Sequence, residues 1–256
     1  MINMDNNNKI KIAISGGMGS MGKLLSDYIQ QSELYEISGI YDPTKKSEDH
    51  NNFNSYDEIS GDILFEFAPS DEVNLNLEKY QNLNINLIVG SSGINESSIK
   101  LLTSIPNHDK FICIIPNFSL GASLQKIFTK ILNDTFLDIR IEERHHSGKK
   151  DAPSATALDL AKSLNNPSKT SSNFSDTVNS EINVINDINI KSIRGDEFLA
   201  EQLIYLKNND EQFRMWHLVD DRTAYLNGIT YLLDIHHELK GFHYGLETIM
   251  SERFKI

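Results

Sequence analysis

The sequence predicts an α/β protein: a doubly wound parallel sheet followed by a second, α+β domain. Three observations predict it. Strand-like apolar runs alternate with helical spacings over residues 9–118. The first run ends in a glycine-rich loop that opens a helix. After Phe118 the pattern becomes a long amphipathic helix and then successive strand-like runs, the order expected of an α+β arrangement. A chain of 256 residues has room for two modest domains.

The elements follow in order. Residues 9–15 (KIKIAIS) form the first strand, residues 16–22 (GGMGSMG) the loop, and residues 23–30 a helix spaced through Leu24, Leu25, Tyr28 and Ile29. Residues 36–41, 63–67, 87–89 and 111–115 are the next four strands, with helices at 73–80 and 97–104. Polar residues at the strand C-termini and repeated β-α-β spacing make the sheet parallel. In the second domain, residues 120–132 are a helix, 138–143 a strand, and 154–164 a helix started at Pro153-Ser154. Residues 165–180 read as a polar loop. Residues 182–193, 199–206 and 212–219 read as an antiparallel meander. Residues 222–239 are helical again and are expected to return to the first domain. The expected division is 1–118 plus 223–256 against 119–222.

Composition narrows the function. The net charge of −12 argues against a general nucleic-acid binder, so an anionic ligand must find a local basic cluster. No run of 18 apolar residues occurs, which excludes a helical membrane span. The polar start at residues 1–9 has no apolar signal core, and a cytoplasmic location is expected. The single cysteine, Cys113, rules out a disulfide framework or a Cys-rich metal site.

Two segments carry chemistry. The first is the loop with glycines at 16, 19 and 22, which lets backbone N–H groups and a helix N-terminus approach a pyrophosphate. Asp42, 20 residues beyond Gly22 and at the end of the second strand, is placed to accept hydrogen bonds from an adenosine ribose. This is the opening of a Rossmann-type unit. Asp42 repels a 2′-phosphate, whereas Lys45 and Lys46 lie close enough to pair with one; NADH is preferred on this reading and NADPH use is also expected. The second segment, residues 142–156 (EERHHSGKKDAPSAT), gathers two histidines and two lysines before a helix start. Histidine moves protons near neutral pH, lysine donates to a developing anion, and Ser154 and Thr156 offer donors to a carboxylate. No metal is expected: adjacent histidines point apart and no third ligand is evident.

The pattern H-H-x-x-K-x-D-A-P-S-x-T resembles the signature of the dihydrodipicolinate (4-hydroxy-tetrahydrodipicolinate) reductases of the diaminopimelate route to lysine. The resemblance covers nearly the whole chain, through G-x-x-G-x-M-G at 16–22, G-S-S-G at 90–93 and N-F-S at 117–119. It implies that His145 is the proton donor/acceptor and Lys149 a proton donor and substrate contact. It implies that His146, Ala155 and Thr156 hold substrate carboxylates, with Ser154 beside them, and that Arg222 matches a further arginine of the substrate site. Gly16, Gly17, Met18, Gly19, Ser20, Met21, Asp42, Gly90, Ser91, Ser92, Ile115, Pro116, Asn117 and Phe118 match cofactor contacts, and Phe67 the aromatic of a D-F-[TS] turn. The substrate implied is a small cyclic dicarboxylate, and the assembly a homotetramer, with a Rossmann-type domain and a substrate-binding and oligomerisation domain.

The chain also departs from that pattern. Ala155 stands for the glycine of S-G-T, where a methyl crowds the backbone unless φ is negative. Ala200-Glu201-Gln202 stands for G-E-H, Glu66 and Ala68 for the acid and hydroxyl of D-F-[TS], and Pro43 for an arginine common in NADP users. The alternatives are another Rossmann dehydrogenase acting on an amino-acid-like substrate, which leaves residues 145–156 without a reason, and a non-catalytic nucleotide-binding protein, which needs no proton donors. Cys113, Trp216, His217, His236 and His237 read as core, surface or interface residues.

Overall fold

The computed structural model describes residues 9–105, 109–164 and 180–256. The order is β1 (Ile10–Ser15), α1 (Ser20–Gln30), β2 (Tyr35–Tyr41), β3 (Ile63–Glu66), α2 (Val73–Tyr80), β4 (Asn86–Val89), α3 (Glu96–Ser104), β5 (Phe111–Ile114), α4 (Leu120–Leu132), β6 (Asp138–His145), α5 (Ala155–Lys162), β7 (Ser180–Ile185), β8 (Ile188–Arg194), β9 (Ala200–Lys207), β10 (Gln212–Val219), α6 (Leu226–Ile235), β11 (Gly241–Tyr244) and α7 (Leu246–Phe254). These elements form two compact units, Met1–Phe118 with Ile229–Ile249 and Ser119–Gly228 with Met250–Ile256. The division thus falls inside α6 and again inside α7, where the sequence reading had placed one boundary at 222/223. No described helix is long and apolar enough to cross a membrane.

The first unit is a six-stranded sheet in the order β11-β5-β4-β3-β1-β2, parallel throughout. Its inner strands are buried on both faces, as at Ile12–Ile14, Leu64, Phe65, Leu87–Val89 and Phe111–Ile114. That is why they read as continuous apolar runs rather than alternations. The chain leaves β1 for β2 on one side and then crosses to β3 on the other, so a topological switch point lies at the C-terminal end of β1. Register aligns Ser15 with both Tyr41 and Glu66, so the loops after β1, β2 and β3 start from one level.

The second unit is a five-stranded sheet in the order β10-β9-β6-β8-β7. Ile139 and Ile141 of β6, Ile188 and Ile190 of β8, and Ile204 and Leu206 of β9 share one face and pack on Ala157, Leu160 and Ala161 of α5. The period of two along each strand continues this face to Glu143 and His145 on β6 and to Ser192 and Arg194 on β8.

Several expectations are corrected here. The sheet is mixed and not a meander: β6 inserts between β9, to which it is antiparallel, and β8, to which it is parallel. Residues 182–193 are two strands, because Asn186 and Asp187 both take positive φ (49° and 60°) and make a two-residue hairpin. The expected helix 222–239 is broken: Asp221 caps a 3₁₀ turn at Arg222–Tyr225 through the Thr223 amide (2.8 Å), α6 follows, and a second 3₁₀ turn covers His236–Glu238. Helix α5 begins at Ala155, with Ser154 as its cap outside the helix. The sequence pattern does not announce strand β11, whose four residues are too few to show a period, nor the nine-residue helix α7. The expected loop at 165–180 lies, but for Ser180, outside the described residues.

Ile141 is fully buried at the centre of the second unit's core. Ile141→Ala is expected to lower stability by about 2–5 kcal/mol, the usual cost of such a cavity. Urea denaturation checks this; a loss below about 1 kcal/mol contradicts the packing described.

Candidate active site

In the first unit, the residues singled out from the sequence lie at the C-terminal edge of the sheet. Gly16 has φ of +69°, and a Cβ there would lie 2.6 Å from the Phe67 carbonyl carbon. A Cβ on Gly17 would lie 2.6 Å from Ile40 Cγ2, and one on Gly22 would meet the backbone of Gly17. The loop is therefore bare backbone folded on itself, with Gly19 capping α1 and Ser20 and Met21 opening it. Such a cradle fits a pyrophosphate.

Asp42 closes the same edge. Its Oδ1 accepts hydrogen bonds from the Thr44 amide (3.0 Å), the Thr44 hydroxyl (2.9 Å) and the Lys45 amide (3.0 Å). Partial burial pushes its pKa up, but these bonds and one from the Met18 backbone outweigh it and hold the carboxyl below its ordinary value. Asp42 is thus a fixed anion beside the glycine loop. Lys46 Nζ donates to the Phe53 carbonyl at 3.3 Å.

Gly90 is enclosed by aromatic rings: a Cβ there would lie 2.5 Å from Phe67 and 2.6 Å from Phe118, whose rings stand edge-on with centroids 6.0 Å apart. Ser91 donates to the Glu66 carbonyl (3.2 Å), and Ile115 to the Val89 carbonyl (2.8 Å). Ser92, Pro116 and Asn117 lie in the same two loops. The Glu66 departure is accommodated. Its buried carboxyl accepts from the Ala68 amide (2.8 Å), the Ser15 hydroxyl (3.0 Å) and the Tyr56 hydroxyl (3.0 Å), while burial raises its pKa against them.

In the second unit, register places Val219, Ala200, His145 and Arg194 in one row across β10, β9, β6 and β8. The loops leaving that row carry His146 to Thr156, the segment after Arg194, and Arg222, which sits three residues past Val219 on the exposed 3₁₀ turn. The sheet end therefore gathers the residues of the second unit that the sequence singles out. Lys149 Nζ pairs with Asp151 Oδ1 at 2.8 Å; both are partly exposed. Partial burial raises the Asp151 pKa, but the Lys149 hydrogen bond and charge prevail and keep it low.

Beneath these groups lies Glu143, 0% exposed. Its Oε2 meets His145 Nδ1, and its Oε1 accepts from Arg194 Nη2 at 3.0 Å and from the Ser154 amide at 3.3 Å. Burial pushes its pKa up; the bonds from His145 and Arg194 overcome this and hold it below its ordinary value. Removing one partner of such a buried charge typically costs about 3–5 kcal/mol. Arg194 also donates to the backbone carbonyls of Lys149 (3.3 Å) and Asp151 (2.5 Å). Sequence reasoning missed Glu143, Arg194 and Asp151 as parts of the site. The available signal was Glu143 two residues before His145 on one strand, hence on the same face.

Two departures are accommodated without strain or a broken strand. Ala155 opens α5 and is not among the residues with positive φ, so its methyl meets no backbone strain. Gln202 is buried against α4: its Nε2 donates to Gln125 Oε1 (2.9 Å), and Gln125 Nε2 donates to its carbonyl (3.0 Å). The sheet runs on unbroken through Ala200–Lys207.

The family model for the N-terminus of dihydrodipicolinate reductase matches residues 10–118, and that for its C-terminus matches residues 119–250. The chain belongs to the dihydrodipicolinate reductase family. Curated proteins similar to it are the 4-hydroxy-tetrahydrodipicolinate reductases of Geobacillus kaustophilus (28% identical, covering 94% of this chain and 99% of that protein) and Legionella pneumophila (30%, covering 94% and 100%). Its fold is also that of a dipicolinate-bound dihydrodipicolinate reductase from a Paenisporosarcina species (TM-score 0.80, 23% identity, covering 94% and 100%). The protein is accordingly an oxidoreductase of the diaminopimelate/lysine route, reducing (hydroxy-)tetrahydrodipicolinate with a reduced pyridine nucleotide. The alternatives of another amino-acid dehydrogenase or a binding-only protein are set aside by this membership.

Gly16→Ala tests the cradle. A non-glycine residue in this backbone region costs about 1–3 kcal/mol, so the loop shifts, and the Kd for NADH is expected to rise about tenfold, equivalent to about 1.4 kcal/mol. Fluorescence titration measures this; an unchanged Kd with intact fold contradicts the assignment.

Proposed function

We propose that the first unit binds the dinucleotide along its glycine-loop edge and that the second binds the cyclic dicarboxylate at residues 145–156. The observation that carries this reading is the meeting of His145, Lys149 and the start of α5 at one end of one sheet. Lys149, His146, Arg222 and the Ser154, Ala155 and Thr156 segment neutralise two carboxylates. This local cluster lets an acidic protein hold an anion. The Lys149–Asp151 pair is partly exposed and so gives way to a substrate carboxylate at small cost.

When bound, the reduced nicotinamide supplies the hydride. His145 provides the proton from Nε2, the nitrogen that Glu143 leaves open, with Lys149 as the second donor to the anion that builds on the ring. Gly16, Gly17, Met18, Gly19, Ser20 and Met21 take the pyrophosphate. Asp42 takes the ribose. Phe67, Gly90, Ser91, Ser92, Ile115, Pro116, Asn117 and Phe118 line the remaining cofactor path. NADH is the preferred donor, because Asp42 is held ionised and Lys46 is tied to Phe53, with NADPH also used.

The protein acts in the cytoplasm, where reduced nicotinamide pools feed biosynthesis, and works as a homotetramer. Edge strand β10 supports the tetramer: Trp216 is 65% exposed and Leu218 43% exposed, on the face turned from α4 and α5.

A coupled assay tests the reading. Pyruvate and aspartate semialdehyde are condensed by the preceding synthase, and oxidation of NADH and NADPH is followed separately. Turnover with both, and a higher kcat/KM for NADH, is expected; a strong NADPH preference overturns the role given to Asp42. His145→Ala should lower kcat about 10²-fold or more, as loss of a general acid does, and a near-wild-type kcat removes it from proton transfer. Lys149→Ala should harm kcat and KM together. Sedimentation should give four times 29.0 kDa, and Trp216→Glu should shift it to smaller species; a monomeric wild type contradicts the tetramer.

A further inference from the structure

Glu143 is a buried carboxylate that the reaction itself does not consume. It lies on the same face of β6 as His145, under the site and out of solvent. Each of its oxygens is committed. Oε2 meets His145 Nδ1. Oε1 accepts from Arg194 on the neighbouring strand (3.0 Å) and from the amide of Ser154, the cap of α5 (3.3 Å). Arg194 in turn holds the carbonyls of Lys149 and Asp151. The proton-donating imidazole, the lysine loop and the carboxylate-binding helix start therefore hang from one anion.

We propose that Glu143 is a positioning residue: through Oε2 it fixes His145 in the Nδ1–H tautomer, and through Oε1 and Arg194 it sets the Lys149–Asp151 loop and the start of α5 in register with that imidazole. An ionised carboxylate only accepts, so the proton between it and Nδ1 belongs to the ring. The neutral ring then keeps Nε2 as the nitrogen that takes up and releases the catalytic proton. This is the division of labour in which an acid orients a histidine without itself transferring a proton. The inference rests on His145 and Lys149 being the proton-transfer pair, and its test separates the two.

The direct test is ¹⁵N NMR of the imidazole nitrogens of the full-length protein, taken above the pH at which the ring becomes neutral. A His145→Gln spectrum assigns the signals. The wild type should show a pyrrole-type Nδ1 and a pyridine-type Nε2. Glu143→Gln should shift the population towards the Nε2–H form that free side chains prefer. An Nε2–H tautomer in the wild type overturns the proposal even if Glu143→Gln does not fold. So does a tautomer that Glu143→Gln leaves unchanged.

Kinetics supply the second arm. Glu143→Gln should lower kcat by about 10²-fold with the Kd for NADH unchanged, and Glu143→Gln/His145→Ala should lose much less than the product of the two single losses, because the part of the Glu143 effect that passes through His145 is already gone. Multiplicative losses in the double variant overturn the proposal. If His145→Ala retains full activity, the catalytic reading fails, while the NMR result still decides whether Glu143 sets the tautomer.

Discussion

A carboxylate removed from water must be paired, and at Glu143 that requirement organises the second unit's site. Taking an ion out of water without compensation costs several kcal/mol, more than a typical hydrogen bond returns. Glu143 meets the demand from three directions, with His145 on its own strand, Arg194 on the next and the amide of Ser154 at the start of α5. No member of that set is close to all the others in sequence. The anion is what brings them together.

The first unit solves a different problem by different means. There the requirement is close approach of backbone to backbone. Gly16, Gly17 and Gly22 leave no side chain between the loop, β2 and the turn after β3. Asp42 adds a fixed negative charge beside that loop, held by the amides of Thr44 and Lys45. Glu66 repeats the buried-carboxylate device below that loop, satisfied by Ala68, Ser15 and Tyr56. Here the neighbours are neutral donors, and burial raises the pKa instead of losing to cations.

What could be read from the sequence was what is local in it. The glycine loop, Asp42 and residues 145–156 are contiguous or regularly spaced, and both-face burial of β1, β3, β4 and β5 writes itself as unbroken apolar runs. What could not be read depended on distant pairing. Strand β6 sits between β9 and β8 because of non-local register, which an alternating pattern does not encode. Arg194 looked like a fragment of a motif, since its partners Glu143, Lys149 and Asp151 lie some 40 to 50 positions earlier. The Asn186-Asp187 turn was hidden inside an apolar alternation because it lacks the glycine that usually announces such a hairpin. Ala155 looked costly as a substitution for glycine, and only the helical backbone that starts there removes the objection.

The end of the second sheet, organised by Glu143, is the proposed binding place of the cyclic dicarboxylate. Hydrogen–deuterium exchange on the wild-type protein, with NADH present and with pyridine-2,6-dicarboxylate added as a planar analogue, tests it most directly. Slowed exchange concentrated in residues 145–157 and 194–196 is the predicted result. Slowed exchange confined to other parts of the chain, with those segments unaffected, would contradict it.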